Sequence, residues 1–282
     1  MKLTRRRFLC TLGATAAVGM GGVATTARWV EPTWLEVSRV EVNTRRPGRR
    51  LRVLHLSDLH ASEVVPLGLI ERAVDLGLAE RPDLVALTGD FLTGQFPLSR
   101  DFGATLAKLA AAAPTFACLG NHDGGRWAAS YGGHPATTPV QRVLSSAGVQ
   151  LLHNESQQVQ INGRSVLVAG VGDLWTGECH PDLALPAPDR AHHALRIVLN
   201  HNPDAKELFP PGSWDVMLCG HTHGGQLRLP LLGAPFAPVR DKRFVAGLHP
   251  WQDGHLFVTR GVGNLHGVRF NCRPEVALLD VA

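Results

Sequence analysis

Leu51-Arg52-Val53-Leu54-His55-Leu56-Ser57-Asp58-Leu59-His60 is the stretch on which the fold turns. An aliphatic run that stops on Ser57 and Asp58 reads as a short buried strand with polar side chains at its carboxyl end. The unit recurs downstream. Strands over residues 51–57, 84–88 and 115–119 are followed by helical stretches over 67–79, 99–112 and 139–147, with apolar residues three and four apart. Strand alternating with helix predicts an α/β layer architecture with right-handed crossovers. Beyond residue 148 helices thin out to one over 203–208. Strand-like runs follow at 149–153, 159–161, 166–171, 195–200, 216–219, 226–229, 255–259 and 276–281. They predict a second, mixed sheet packed on the first. Upstream, Leu35, Val37, Val40 and Val42 alternate with polar residues before a basic cluster from Arg45 to Arg50. Residues 28–50 are therefore expected to form a strand and a solvated basic hairpin loop ahead of one domain over 51–282.

Five apolar runs end in residue types that bind metals. They are Asp58-Leu59-His60, Gly89-Asp90, Gly120-Asn121-His122-Asp123, Asn200-His201 and Gly220-His221-Thr222-His223. In an α/β sheet the carboxyl ends of neighbouring strands share one edge, so motifs far apart in sequence meet in one cleft. The donors are oxygen and nitrogen with no thiolate, a set suited to manganese, iron or zinc. Seven candidate ligands exceed the needs of one ion. Two ions sharing a carboxylate use them all, and a two-ion centre is the usual apparatus for in-line displacement at phosphorus.

These five blocks resemble the calcineurin-like metallophosphoesterases, and the likeness runs from about Leu51 to the C-terminus. It implies a four-layer α/β/β/α sandwich with two divalent metal ions between the sheets. Carried over residue by residue, Asp58, His60 and His223 would hold one ion, Asn121, His201 and His221 the other, and Asp90 would bridge them. His122 would contact the phosphate as a catalytic residue, with Asp123 orienting it. Many members carry a second Asp three residues after the bridging one. Thr93 stands there in this chain, a change expected to affect ligand orientation or substrate contact rather than metal binding.

The activity so implied is hydrolysis of a phosphoric ester, most of all a diester, by a hydroxide bridging the two ions, with His122 as proton donor or charge stabiliser. An alternative substrate is a lipid-linked pyrophosphate or another membrane phosphoester, suggested by the basic loop and by Trp29 and Trp34. A non-catalytic metal-binding domain fits less well, because a degenerate member would have lost ligands. Trp127, Tyr131 and Trp175 follow motif-bearing strands and are candidate cleft walls. His266, after the Gly-rich segment Arg260-Gly261-Val262-Gly263-Asn264, is a candidate substrate contact. His55, His134, His153, His180, His192, His193, His249 and His255 lack a ligand cluster and read as structural.

Composition narrows the partners. At 44% hydrophobic and 18% charged the chain is an ordinary globular sequence, not a disordered, collagenous or coiled-coil one. Its net charge of +4 suggests nucleic-acid binding until it is located. Residues 1–27 carry four basic and no acidic side chains, 28–52 seven and three, and 53–282 17 and 21. The body is mildly acidic, as suits a holder of divalent cations, and no specific nucleic-acid binding is expected. Arg5-Arg6-Arg7-Phe8-Leu9 ahead of an uncharged Ala- and Gly-rich run reads as a twin-arginine export signal over residues 1–27. Thr25-Thr26-Ala27 is the best cleavage candidate, and a retained signal would tether the domain. The chain is thus expected in the periplasm or on the outer face of the cytoplasmic membrane, as a monomer that meets the export machinery and, through the tether, the membrane surface. Cys179 and Cys272 are free, on sequence grounds, to pair or to remain thiols, and no C-x-x-C supports a zinc ribbon.

Overall fold

The structure, a computed structural model, describes residues 21–46, 48–185 and 194–282. The expected signal up to residue 20, with Cys10, lies outside the described residues, as do His192 and His193. In chain order the described strands are β1 (Glu36–Val42), β2 (Leu51–Leu56), β3 (Leu84–Thr88), β4 (Thr115–Cys118), β5 (Gln150–Leu151), β6 (Glu155–Ile161), β7 (Arg164–Gly170), β8 (Leu195–Leu199), β9 (Val216–Cys219), β10 (Gly247–Trp251), β11 (Gly254–Val258) and β12 (Glu275–Val281). They form two six-stranded sheets, ordered β1-β12-β2-β3-β4-β5 and β10-β11-β9-β8-β7-β6. The helices are α1 (Leu67–Ala79), α2 (Arg100–Ala112), α3 (Arg126–Ser130), α4 (Thr138–Ser146) and α5 (Pro181–Ala184), with a 3-10 turn at Pro203–Leu208.

Alternation along the strands sorts side chains into layers. Val53, Leu84, Ala86 and Phe116 point inward to meet Val166, Val168, Ile197, Leu199 and Leu218 of the second sheet. Leu54, Leu56, Val85 and Leu87 point outward against Ile70, Ala73 and Val74 of α1 and Phe102, Leu106 and Leu109 of α2. The outer face of the second sheet is covered more thinly, by α5, the 3-10 turn and loops through Phe209, Trp214 and Phe244. Two mixed sheets flanked by helices are what the alternating pattern implies.

Strands β2 to β5 are parallel, and β7, β8, β9 and β11 are parallel in the second sheet. All their carboxyl ends reach one edge of the sandwich. The basic segment 43–50 does not close the expected hairpin. β12 pairs parallel with β1 and antiparallel with β2, and so lies between them. Alternating strands carry no information about their partners. β12, buried along almost its whole length, takes the central place and leaves half-buried β1 at the edge. The expected strand over 226–229 is likewise absent. Positive φ at Gly224, Gly225 and Gln226 and Pro230 beyond leave only isolated bridges, Leu227 with Phe270 and Leu229 with Gly233. β10 and α3 were not foreseen. Cys118, Cys179, Cys219 and Cys272 are buried free thiols, so Cys179 and Cys272 do not pair. No helix among the described residues is long and apolar enough to cross a membrane.

His55 sits inside β2, with Nε2 2.8 Å from Thr88 Oγ1 and its ring edge-on to Phe257. Burial pushes its pKa from 6.5 down to about 3, with Glu275 opposing. The unfolded chain therefore binds one more proton than the native one between those two values, and the native state loses stability as pH falls through that window. In His55→Leu the pH slope of the unfolding free energy there is expected to be shallower by about 1.4 kcal/mol per pH unit. An unchanged slope in chemical denaturation would overturn the assignment.

Candidate metal centre

The loops that leave the carboxyl ends are bent sharply. Asp58, His60, Asp90, His221 and His223 all have left-handed backbone, with φ of 53, 47, 55, 70 and 51°. Such conformations cost about 1–2 kcal/mol each for a residue with a Cβ and persist where surroundings enforce them. Here they turn short polar side chains back into the crevice between the sheets. Gly89 lets two loops touch directly, because a Cβ there would lie 2.3 Å from the Gly120 nitrogen.

Two ligand groups result, Asp58 with His60 and His223, and Asp90 with His201 and His221, all six buried. His60 Nε2 and His223 Nε2 are 3.1 Å apart, and His223 Nε2 is 3.4 Å from Asp58 Oδ1. His221 Nδ1 is 3.2 Å from His201 Nε2. Asp90 Oδ2 stands between the groups, 3.4 Å from His60 Nε2 and 3.2 Å from His201 Nε2. Asn121 is buried with neither amide atom hydrogen-bonded, and His221 Nε2 is also unpartnered. Buried polar atoms without partners are costly. Convergent lone pairs of this kind fit divalent cations, and oxygen and nitrogen donors suit first-row metals.

The far side of three of the four rings is anchored. His201 Nδ1 faces the Thr88 carbonyl at 2.7 Å, His223 Nδ1 the Gly263 carbonyl at 3.3 Å, and His60 Nδ1 the Thr93 hydroxyl at 2.9 Å. A proton on each Nδ1 leaves each Nε2 lone pair aimed inward. Thr93 thus acts on ligand orientation, as the expected consequence of its departure from the family pattern. Burial drives His60 and His223 down to about 3, against the pull of Asp90 and Asp58, and burial followed by His201 lowers His221. The three are held neutral, the form in which an imidazole can bind a metal ion. For Asp90 burial works upward, but His201 and His122 hold the carboxyl well below its usual range, and Asp90 raises His201 in return against burial.

Asp123 does not orient His122. Its Oδ2 accepts the backbone N–H groups of Gly120 at 2.7 Å and Asp90 at 2.8 Å, and its Oδ1 accepts that of Phe91 at 2.6 Å. It clamps the Asp90 loop to the Asn121 loop, and its three hydrogen bonds all go to backbone N–H groups. Burial, then the neighbouring Asp90, push its pKa up to about 7. His122 is tied instead by its own N–H to Asp90 Oδ1 at 2.9 Å, and its ring lies edge-on between His60 and Trp127.

A cleft of about 440 Å³ opens above these groups. Trp127, Tyr131, Trp175 and His266 line it, as do Leu227, Phe236, Pro238 and Leu265, which sequence reasoning did not assign to a wall. Asp173 Oδ1 receives the N–H groups of Trp175 and Thr176 at 2.7 and 3.1 Å and so sets Trp175 over His221, with ring centroids 4.2 Å apart. Arg269 was also unforeseen. Its buried guanidinium gathers the carbonyls of Arg260, Gly261 and Gly263, the last of which holds His223. A lone Arg between apolar residues carries no signal of such a role in one sequence.

The calcineurin-like phosphoesterase profile matches residues 51–225. Phosphodiesterase YaeI of Escherichia coli is 44% identical over 99% of both chains. The uncharacterized metallophosphoesterase YkuE of Bacillus subtilis is 28% identical over 99% of this chain and 98% of its own. UDP-2,3-diacylglucosamine pyrophosphatase LpxG of Chlamydia trachomatis is 25% identical over 95% and 97%. A family match across this much of the chain, with a relative of 44% identity along nearly all of it, makes the protein a member of the calcineurin-like phosphoesterase family and a metal-dependent hydrolase of phosphoric esters.

Proposed function

We propose that the protein hydrolyses phosphodiesters. The observation that carries this reading is the cleft lining, in which the donors are neutral side chains or histidines, among them Asn121, Gln226, Thr222 and Tyr131, and no lysine or arginine appears among the described residues. A monoester dianion is usually gripped by guanidinium or ammonium groups. A diester carries one charge and two organic substituents, and suits a floor of ligands between apolar walls. The name of the YaeI relative supports the same choice. The apolar walls and the LpxG relative favour a lipid-borne ester or pyrophosphate as the second reading.

Asp58, His60 and His223 would hold one divalent ion, Asn121, His201 and His221 the other, and Asp90 both. Manganese, iron or zinc would suit the donors. Two such ions would supply an activated water and neutralise charge on the phosphoryl oxygens. His122 stands at the cleft floor beside Asp90 and the aromatic wall, placed to donate a proton to the departing alkoxide or a hydrogen bond to phosphoryl oxygen. Trp127 and Trp175 shield the ligands from bulk water. His266 faces the same space as a substrate contact.

The proposal includes twin-arginine export and retention on the outer face of the cytoplasmic membrane. Retention is supported by Ala27, the last residue of the cleavage candidate. It is buried, and its carbonyl accepts the Arg269 N–H at 2.9 Å, so the bond a peptidase would cut is folded into the domain.

Chelation is expected to abolish turnover of a chromogenic diester and metal to restore it, with diester preferred over monoester; metal-independent turnover would overturn the reading. In Asp90→Asn both ions are expected to be held weakly, with metal content below two per chain by elemental analysis and a rate loss of at least about a hundredfold. His122→Ala is expected to keep both ions while losing a hundredfold or so in kcat. Asp123→Asn, in contrast, is expected to lower metal content and stability together by loosening the Asp90 loop, with thermal unfolding shifted down by about 2–4 °C for each kcal/mol lost. If Asp123→Asn kept its metals and stability and lost only rate, the clamp would be wrong.

A further inference from the structure

Three chain segments lie side by side along one rim of the cleft. The Arg269 N–H reaches the Ala27 carbonyl at 2.9 Å, the Arg228 N–H the Phe270 carbonyl at 2.8 Å, and the Phe270 N–H the Gln226 carbonyl at 2.9 Å. Arg28 adds a side-chain bond to the Gly267 carbonyl at 3.2 Å. This ribbon joins the chain leaving the expected signal to the loops that carry Leu227, Phe236, Leu265 and His266 into the cleft. β1 runs antiparallel to β2, so its start, with Trp34, also lies at the ligand-bearing edge.

The ribbon is apolar where a soluble protein would be polar. Leu229 and Gly233 exchange backbone hydrogen bonds at 2.7 and 2.9 Å, closing a tight turn whose tip is Pro230-Leu231-Leu232. Turn tips favour Gly, Pro, Asn, Asp and Ser, which accounts for Pro230 but not for the two leucines. Here Leu231 is 106% and Leu232 72% exposed, and Leu231 holds a left-handed φ of 67° with no packing in return. Phe236, Trp29 and Trp34 are exposed as well. Arg28 lies over Trp29 and Arg273 over Trp34, at 4.4 and 4.1 Å from the ring centroids. Trp and Arg so placed are typical of a lipid headgroup layer. Across residues 21–34, 226–238 and 264–273 the sole carboxylate is Glu31, which is buried, against exposed Arg28 and Arg228; half-buried Arg273 lies 3.9 Å from Glu36, a carboxylate that Arg260 already holds at 3.1 Å. Residues 53–282 as a whole carry more acidic than basic side chains, so the basic character of this rim stands against its surroundings and complements an anionic surface. The basic segment 43–50, suggested by the sequence as a lipid contact, lies at the opposite end of the sheets. There Arg45 pairs with Asp253, Arg46 with Asp215 and Arg50 with Glu41.

We propose that this ribbon, with the Leu231-Leu232 tip, rests in the headgroup layer of an anionic phospholipid membrane and that the cleft takes its phosphoester from a lipid held there. The chemistry assigned to the site rests on the phosphodiester reading; the placement of the ribbon does not. The tip dips into the interface, the Arg side chains meet lipid phosphates, and the mouth between Phe236 and Leu265 opens toward the bilayer.

The test uses the full chain with Cys10→Ser on vesicles of equal parts phosphatidylglycerol and phosphatidylcholine. A nitroxide at Leu232→Cys should lie below the lipid phosphates by oxygen and nickel accessibility, while one at Arg49→Cys, at the far end, stays in water. Leu231→Ser with Leu232→Ser should keep turnover of a soluble diester in solution. The vesicles should slow that turnover in the wild type by about fivefold or more by covering the mouth, and much less in the double variant. A label at 232 that stays in water, or is shielded only by a second copy of the chain in vesicle-free solution, overturns the membrane placement. Unslowed wild-type turnover on vesicles overturns the lipid-facing mouth. Loss of metal-dependent turnover in solution would instead sink the phosphodiester reading, so the two failures are distinguishable.

Discussion

The Asp90 carboxylate holds the centre together. One oxygen stands within 3.4 Å of His60 from the first sheet and 3.2 Å of His201 from the second, while the other accepts the His122 N–H. A buried carboxylate in this position is tolerated only with such partners, because an isolated charge in a dry crevice costs far more than the fold can spare. The rest of the site follows from keeping that oxygen in place. Asp123 grips the Asp90 N–H, the Gly89 and Gly120 backbones touch, and the Thr88 carbonyl beneath them aligns His201.

The same demand explains the strained backbone. Left-handed φ values at five candidate ligands are an expense that hydrophobic packing behind them offsets. The first sheet supplies four of the candidate donors and the second three, and cross-links such as the His221 N–H to Asp58 at 3.0 Å tie the two carboxyl edges together. Ligand geometry and sheet packing are therefore one problem. A shift between the sheets would separate His60 from His223 before it opened the core.

Chemistry is confined to one edge and so is the unusual surface. The cleft has an ionic floor and aromatic walls, and its rim continues into exposed aliphatic and Arg–Trp groups where the N-terminal segment enters the domain. The opposite edge carries paired arginines and aspartates, the ordinary furniture of a solvated surface.

Much of this was legible in residues 51–225. Apolar runs of the right length predicted the strands of both sheets except β10, and the polar residues ending them named the groups that converge, because strand polarity alone brings carboxyl ends to one edge. Thr93 was marked as a departure, and its hydroxyl proved to steady His60. Pairing was not legible. β12 separates β1 from β2 because a strand buried on both faces needs two neighbours, and alternation in β1 does not say which partner it takes. Nor was the direction of the Asp123 carboxylate, since adjacency to His122 in sequence says nothing about which way a side chain turns after a Gly-led bend. The identity of the donors is written in local order, where covalent spacing governs. Their aim, the clamp behind them and the side of the molecule that carries the apolar rim arise from contacts between different loops, from about 30 positions apart for Asp90 with Asp123 to 113 for Thr88 with His201, and the packing of the sheets sets those.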